Sequence, residues 1–304
     1  MGATWWTTSH LVIVAGKGGV GKTTVAAALG RAARDTGLGV TVVGIADDAA
    51  CRLLDVEPST VEDVMATPAT RGQLRTTVID PEEALAAHLD DSDLGALGRR
   101  MSRTGLLELV AAATPGIREL LVLGRLRQLE QANTSDLVVV DAPASGHATG
   151  LLRAPRALAA LAARGRIRDQ ADLATEFLTD ELRTQVVLVT LPEDTPVNET
   201  IETAFALEDD PGIAVGPVLV NRCAPPSPPC RPPTAELVPT LDPAVARLVD
   251  DALGEDHTRY LAERRSATRL GEESGLPCIE LPDASTPSGG VDIERIVDAL
   301  ARTR

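Results

Sequence analysis

The sequence predicts an α/β fold: a mostly parallel β-sheet with helices on both faces and an inserted α-helical subdomain. Short apolar runs alternate along the chain with segments of helical periodicity, as expected for repeated strand–helix units. The apolar runs are continuous, which indicates strands that are buried on both faces of a sheet. Two longer stretches carry helical patterns only and therefore favour a helical subdomain.

The predicted strands are short and rich in valine, and they cover residues 11–15, 40–45, 74–79, 136–141, 185–191, 214–221 and 276–281. Helical periodicity predicts helices over residues 22–35, 81–89, 106–131, 149–163, 172–182, 196–207, 244–253, 255–270 and 291–301. The proline-dense residues 224–234 are expected to form no regular element, because proline lacks a backbone N–H donor.

Residues 1–304 are interpreted as a single domain. A chain of this length, with 44% hydrophobic residues, can bury one substantial core. We expect the helical subdomain to be inserted from about residues 90–131 and 156–182, where helical patterns occur without an intervening strand.

The charge and the ends of the chain limit the classes of function. A net charge of −15 opposes binding to nucleic-acid phosphates and to anionic lipid headgroups, so no nucleic-acid partner is expected, although a local basic patch stays open. No apolar run is long enough to cross a membrane, and the N-terminus does not resemble a secretory signal. Four scattered cysteines do not suggest a disulfide framework. These features predict a cytoplasmic protein that is not integral to a membrane.

Lysine is very rare in this chain. Among its 29 lysine and arginine residues, Lys17 and Lys22 are the only lysines. A compact ammonium group reaches between phosphates where a planar guanidinium does not fit. The two lysines therefore mark positions where the shape of the side chain matters as well as its charge.

A glycine-rich segment, GKGGVGKTT, follows the first predicted strand and leads into a predicted helix. It contains the pattern G-x-x-x-x-G-K-[ST], which is the phosphate-binding loop of P-loop NTPases. Its backbone N–H groups, at the positive end of a helix, are expected to surround a polyphosphate. Lys22 is expected on the β- and γ-phosphates, and the Thr23 hydroxyl on Mg²⁺. The residues predicted to bind ATP are Gly16, Lys17, Gly18, Gly19, Val20, Gly21, Lys22, Thr23 and Thr24.

A lysine directly after the first glycine is not needed by an ordinary phosphate loop. With Lys17, the loop resembles the deviant Walker A class, written KGGVGKT. That class includes partitioning and septum-placement ATPases, the nitrogenase iron protein, and the arsenite-pump and tail-anchored-protein-targeting ATPases. The resemblance implies that Lys17 reaches across a dimer interface to the nucleotide of the partner. The alternative is a solvated loop lysine.

Asp141 ends a strongly apolar predicted strand and is expected to hold Mg²⁺. The alternative is that it only caps the next helix. Residues 141–147 read DAPASGH and resemble the DTAPTGH segment of the arsenite-pump and targeting ATPases. Gly146 and His147 favour this branch, because the switch of partitioning ATPases lacks the Gly-His pair.

A second switch is expected after the second strand, where the sequence reads IADDAACRLLD. This segment is similar to the STDPAHSLSD segment of the same branch and places Asp48 and Asp55 on its two aspartates. The resemblance implies that Asp48 orients the attacking water and contributes to the Mg²⁺ site. A one-place shift to Asp47 is the alternative. The usual proline and histidine of the family are replaced here, by Ala49 and Cys51.

Asn221 and Arg222 match the family position at which an asparagine amide reads the adenine base. An asparagine at the end of a strand is otherwise most often a turn former. The resemblance therefore implies a nucleotide contact for these two residues.

Other features of the family are weak in this chain. Cys223 and Cys230 are separated too widely for a local zinc knuckle, so we favour no zinc. Arsenite would need three thiolates drawn together, which the cysteine spacing does not suggest. Leucines at helical spacing in residues 106–129 are read as core packing rather than as an apolar client groove. Trp5 and Trp6 are expected to dock on the sheet edge.

These observations predict a Mg²⁺-dependent ATP hydrolase that dimerises around two nucleotides, as a homodimer or with a related ATPase, and drives a conformational cycle on an unidentified client or partner protein. One alternative is a partitioning-type ATPase that moves on DNA or membrane. Another is a non-catalytic subunit of a paired ATPase. The acidic charge opposes the first alternative, and the complete loop and switch residues oppose the second.

Overall fold

The computed structural model describes residues 5–90, 116–143, 146–162, 164–209, 212–226, 234–238 and 240–303. Side chains of residues 86–90, 146–148, 235 and 237 lie outside this description. Cys230, most of the N-terminal half of the predicted helix 106–131, and the side chain of His147 therefore fall outside it as well.

The described chain forms a parallel seven-stranded sheet with the order β3-β2-β4-β1-β5-β6-β7. Its strands are β1 (Leu11–Gly16), β2 (Val40–Ile45), β3 (Leu74–Ile79), β4 (Leu137–Asp141), β5 (Thr184–Thr190), β6 (Val215–Cys223) and β7 (Cys278–Pro282). The predicted α/β class and parallel sheet are confirmed. β2 and β3 have the predicted bounds. β2 is buried along its whole length, as its apolar run predicts, whereas β3 lies at the edge of the sheet and is only partly buried.

The described helices are α1 (Lys22–Asp35), α2 (Ala49–Leu54), α3 (Val61–Ala66), α4 (Pro81–Asp90), α5 (Ile117–Gln131), α6 (Gly146–Leu161), α7 (Arg166–Thr179), α8 (Asp194–Asp209), α9 (Thr234–Leu237), α10 (Pro243–Ser274) and α11 (Ile293–Arg302). The bounds of α1 match the prediction. The short helices α2, α3 and α9 were not predicted, because too few residues show a helical period over such lengths.

Two helix predictions are wrong in their bounds. The predicted separate helices 244–253 and 255–270 are one continuous helix, α10, which runs through Gly254. A glycine lowers helix stability without ending a helix, and the real ends are set by the Asp242 cap and by Gly275 in the left-handed conformation. The predicted helix 106–131 does not continue through Gly116, whose φ of 92° places the start of α5 at Ile117.

Helices pack on both faces of the sheet, as predicted, and each face has its own hydrophobic core. Leu11 and Ile13 of β1 face a core that includes residues of α5, α6, α7 and α8. Val12 and Val14 face a second core that includes residues of α1, α2 and α11. The alternation follows from the two-residue period of a strand.

The second core also contains Trp6, which is fully buried, beside a short 3-10 turn at Trp5–Thr7. The helices α5, α6 and α7 contact one another and share the first core with the sheet. The helical subdomain expected from about residues 90–131 and 156–182, and the single-domain interpretation of residues 1–304, stay predictions.

The sheet order positions the glycine-rich loop. β1 lies between β4 and β5, so the loop that follows β1 is flanked by the carboxyl ends of both neighbours. In this register Val14 pairs with Asp141, and Gly16 pairs with Val189. Ligands of open α/β sheets bind at this carboxyl edge, where neighbouring connections separate.

Candidate functional site

The loop between β1 and α1 requires glycine at two positions. Gly16 has a φ of 147°, and a Cβ there would lie 2.3 Å from the carbonyl oxygen of Val189. Gly21 has a φ of 91°, and a Cβ there would lie 2.4 Å from the Asn221 amide nitrogen. Distances this short are steric clashes, so the loop is shaped by close backbone approach on both sides.

The N-terminus of α1 is left open for an anion. Gly21 is the N-cap and supplies no side chain, and the first turn of α1 contains no acidic residue. The first N–H groups of a helix have no partner within the helix, and they carry the positive end of its dipole. A helix N-terminus of this kind is suited to bind a phosphate group.

Lys22 is the first residue of α1 and is only 6% exposed. Its ammonium donates a hydrogen bond to the backbone carbonyl of Lys17 at 2.9 Å and so connects the end of the loop to its beginning. Burial lowers the pKa of Lys22, and the nearby Asp141 carboxylate partly opposes this effect. The ammonium therefore lies inside the loop, where a polyphosphate would be bound.

Asp141 ends β4 beside the loop and is buried. Burial raises the pKa of Asp141 to about 6, Asp47 adds to this effect, and Thr23 and Lys22 oppose it. The carboxylate atom Oδ1 is buried and has no hydrogen-bond partner in the described structure. A buried polar atom without a partner is rare, and it is expected where an ion or ligand completes the site.

The donors at this point fit magnesium. The Thr23 side chain and the Asp141 carboxylate are hard oxygen ligands, and they interact with each other through a hydrogen bond. No group of three or more histidine, cysteine or acidic side chains suited to a metal occurs in the described part of the chain. Mg²⁺ suits such a site, because it usually takes few protein ligands and completes its shell with phosphates and water.

The two aspartates considered for the switch, Asp47 and Asp48, have different partners. Asp48 forms an ion pair with Arg52, one turn along α2. Asp47 accepts a hydrogen bond from the backbone N–H of Ala49 at 2.6 Å and acts electrostatically on Asp141. Asp47, rather than Asp48, is therefore the aspartate whose charge acts on Asp141. The alternative considered from the sequence, in which Asp47 takes the switch role, stays open.

Lys17 lies at the outer side of the loop, with its side chain 46% exposed. Its ammonium forms an ion pair with Glu199 of α8, and the Nζ–Oε1 distance is 3.0 Å. No sequence signal singled out Glu199, because it lies 182 positions further along the chain, within a helix that carries several acidic residues.

Asn221 of β6 forms a hydrogen bond to the glycine-rich loop. It is only 3% exposed, and its amide donates to the Val20 carbonyl at 2.9 Å, while its side-chain oxygen has no partner in the described structure. Asn221 and Arg222 lie within β6 rather than at its end, and Arg222 has a φ of 59° where the register with β7 shifts. The structure thus brings Asn221 to the loop and leaves Arg222 exposed.

The surroundings of Cys223 favour the neutral thiol. Burial raises its pKa to about 12, and the nearby Glu280 and Glu263 carboxylates add to the shift. Cys230 lies outside the described residues.

Comparison with known proteins identifies the family. A family model described as anion-transporting ATPase matches residues 9–165, which contain the phosphate loop, the switch aspartates and Asp141. The chain belongs to the anion-transporting ATPase family.

Relatives named as ATPases agree with this assignment. ATPase BagA of Mycobacterium tuberculosis is 33% identical over 225 residues, which cover 71% of this chain and 66% of that protein. An arsenical pump-driving ATPase of Escherichia coli is 30% identical over 203 residues, covering 65% of this chain and 32% of that protein. An ATPase ASNA1 homolog of Entamoeba histolytica is 30% identical over 159 residues, covering 48% of this chain and 46% of that protein.

The match therefore spans somewhat less than two thirds of the length of the mycobacterial relative and about a third of the bacterial pump ATPase. Membership of the anion-transporting ATPase family supports nucleotide binding. Among the described helices, none is long and apolar enough to cross a membrane.

Proposed function

We propose that this protein is a Mg²⁺-dependent ATP hydrolase that forms a nucleotide-bridged dimer and drives a conformational cycle on a client or partner protein in the cytoplasm. The observation that carries the proposal is the open N-terminus of α1 beside the partnerless buried carboxylate oxygen of Asp141. The two features offer a phosphate and its metal ion adjacent positions. The family assignment supports the same chemistry.

Each proposed role follows from the position of the side chain. Lys22 contacts the β- and γ-phosphates from inside the loop, and the backbone of residues 16–24 surrounds them. Thr23 and Asp141 hold Mg²⁺, which supplies charge neutralisation to the phosphate oxygens when it is bound. Asn221 offers its partnerless side-chain oxygen to the amino group of adenine, and Arg222 is the adjacent exposed residue.

Asp48 is proposed to orient the attacking water, with Asp47 as the neighbouring candidate. A carboxylate in this role must first be free of other partners, so Asp48 has to leave Arg52 when the switch closes. Lys17 is proposed to reach the nucleotide of a second subunit, either identical or a related ATPase.

The first test of the site is Lys22→Ala. The variant removes the buried ammonium, and we expect it to lose ATP binding in equilibrium titration with a fluorescent ATP analogue. Arg302→Ala, which removes an exposed cation on α11 away from the loop, is the control and should bind the analogue normally. Unchanged nucleotide affinity in Lys22→Ala would contradict the site assignment.

The second test concerns the dimer. Lys17→Ala should bind ATP as a protomer but lose both ATP-dependent dimerisation, measured by sedimentation, and hydrolysis, measured by phosphate release. A Lys17→Ala protein that hydrolyses ATP at the normal rate would show that Lys17 has no role across the interface.

A further inference from the structure

The ion pair between Lys17 and Glu199 joins the phosphate loop to a helix of the same chain. Both side chains are partly exposed, 46% for Lys17 and 35% for Glu199. The ammonium is thereby turned towards α8 of its own protomer. Lysine is otherwise present in this chain only at Lys22, so Glu199 is paired with one of only two lysines.

The position of Glu199 is determined by the packing of α8. Val197 and Ala204 are buried in the core that also contains Leu11 and Ile13, whereas Glu199 on the same helix is partly exposed and contacts Lys17. Lys17 and Glu199 both line a cavity of about 180 Å³, together with Glu202 one turn further along α8. Glu202 shares this cavity, but in the described structure no ion pair to it is found, so the contact is specific to Glu199.

The proposed role of Lys17 across the interface requires its ammonium to leave Glu199 on its own protomer. We propose that Glu199 is a positioning residue: it holds Lys17 on its own protomer, and ATP-dependent dimerisation must break this ion pair. This inference rests on the proposed role of Lys17 across the dimer interface and adds a competing partner within the chain.

The competition favours the dimer once nucleotide is bound. A triphosphate carries more negative charge than one carboxylate, and an interface that excludes water strengthens its attraction for an ammonium. An exposed ion pair is weak, since solvent screens it and two flexible side chains must be ordered. Glu199 therefore raises the protein concentration that dimerisation requires without preventing it.

The size of the effect follows from the strength of exposed ion pairs. Such a pair shifts an equilibrium by roughly 1.4- to 5-fold. A symmetric dimer breaks two of them, so the shift in the dimerisation midpoint should be about 2- to 30-fold.

The test uses Glu199→Gln, with Glu202→Gln as the matched control from the same helix and cavity. Dimerisation is followed by sedimentation with a non-hydrolysable ATP analogue, over a range of protein concentrations. We expect Glu199→Gln to dimerise at a 2- to 30-fold lower concentration than the unchanged protein. Glu202→Gln should keep the original midpoint, and analogue affinity of the protomer should be equal in all three proteins.

The double variant Lys17→Ala/Glu199→Gln separates this inference from the proposed function. It should behave as Lys17→Ala, because without the ammonium Glu199 has nothing to hold. If Lys17→Ala loses dimerisation while Glu199→Gln shows an unchanged or higher midpoint, the competing role of Glu199 is wrong and the dimer proposal stands. If Lys17→Ala dimerises normally, the proposed role of Lys17 across the interface fails first.

Discussion

The buried carboxylate of Asp141 favours binding of a cation but destabilises the folded protein when no cation is bound. Its carboxylate is buried, and one of its oxygens has no partner in the described structure. Burial of a charge without compensation is unfavourable, and it raises the pKa of Asp141 to about 6. Bound Mg²⁺ would compensate the same charge, so the site exchanges stability of the free protein for affinity.

This cost predicts a pH-dependent gain in stability for Asp141→Asn. Between pH 4 and 6 the folded protein binds more protons at Asp141 than the unfolded chain does, so the free energy of unfolding falls as the pH rises. The full cost is present above pH 6. Denaturant unfolding without nucleotide should show Asp141→Asn more stable by roughly 2–3 kcal/mol at pH 7.5, with a difference that vanishes towards pH 4.

The control for this prediction is Asp251→Asn, which changes an exposed carboxylate on α10. It should leave the free energy of unfolding at pH 7.5 within about 0.5 kcal/mol of the unchanged protein. Equal stability of Asp141→Asn and Asp251→Asn at pH 7.5 would mean that the Asp141 carboxylate carries no burial cost.

At the scale of elements, α10 departs most from the sequence prediction. Asp242 caps its start by accepting hydrogen bonds from the backbone N–H groups of Ala244 and Val245. Gly275, with a φ of 69°, ends it. Gly254 lies between these signals in an ordinary helical position, and a Cβ added there meets no atom within 4 Å. The helix continues through Gly254 because the residues on either side of it have enough helix propensity to offset the cost of one glycine.

Gly254→Ala is therefore expected to stabilise the protein by about 1 kcal/mol, because alanine restricts the unfolded chain and fits the helix. Gly275→Ala is the matched comparison at the end of the same helix. It should destabilise by about 1 kcal/mol or more, because alanine is strained at positive φ. Denaturant unfolding measures both, and a destabilised Gly254→Ala would indicate a break in the helix.

At the scale of the whole molecule, the phosphate loop, β4, β6, α2 and α8 meet at the carboxyl edge of one sheet. Asp141 and Asn221 interact with residues of the loop and of the start of α1. Lys17 pairs with Glu199 of α8, and Asp47, just before α2, acts electrostatically on Asp141. In the proposed cycle, a change at the γ-phosphate would reach α2 and α8 through these residues. This arrangement is the physical basis for the proposed conformational cycle.

The cycle predicts a trapped state for Asp48→Asn. We expect ATP binding to be retained and hydrolysis to fall by at least about 100-fold, as for loss of a group that assists proton transfer. Asp47→Asn is the comparison. If Asp47→Asn loses hydrolysis and Asp48→Asn does not, the water-orienting role belongs to Asp47, the residue coupled to Asp141.

The trapped protein also offers a way to identify what the cycle acts on. Affinity capture with Asp48→Asn in ATP, compared with Lys22→Ala in the same buffer, should enrich a protein partner only in the first sample. A tail-anchored membrane protein, a related ATPase and DNA are distinguishable outcomes. Recovery of DNA alone would contradict a protein client.

The sequence by itself determined the class of fold, the bounds of several strands and the place of the glycine-rich loop between β1 and α1. Continuous apolar runs mark strands buried on both faces, and the conformation of a glycine-rich loop before a helix depends on adjacent residues. These features depend on neighbouring residues, so they can be predicted from the sequence without knowledge of distant contacts.

Only the tertiary structure decided the order of the strands and the partners of the loop. Asn221 reaches Val20 across 201 positions, and Glu199 reaches Lys17 across 182. The partnerless oxygen of Asp141 is likewise defined by what surrounds it in space. Such contacts depend on how helices and strands pack against one another. Packing brings together residues that are far apart in the sequence, and no local pattern of residues predicts these pairs.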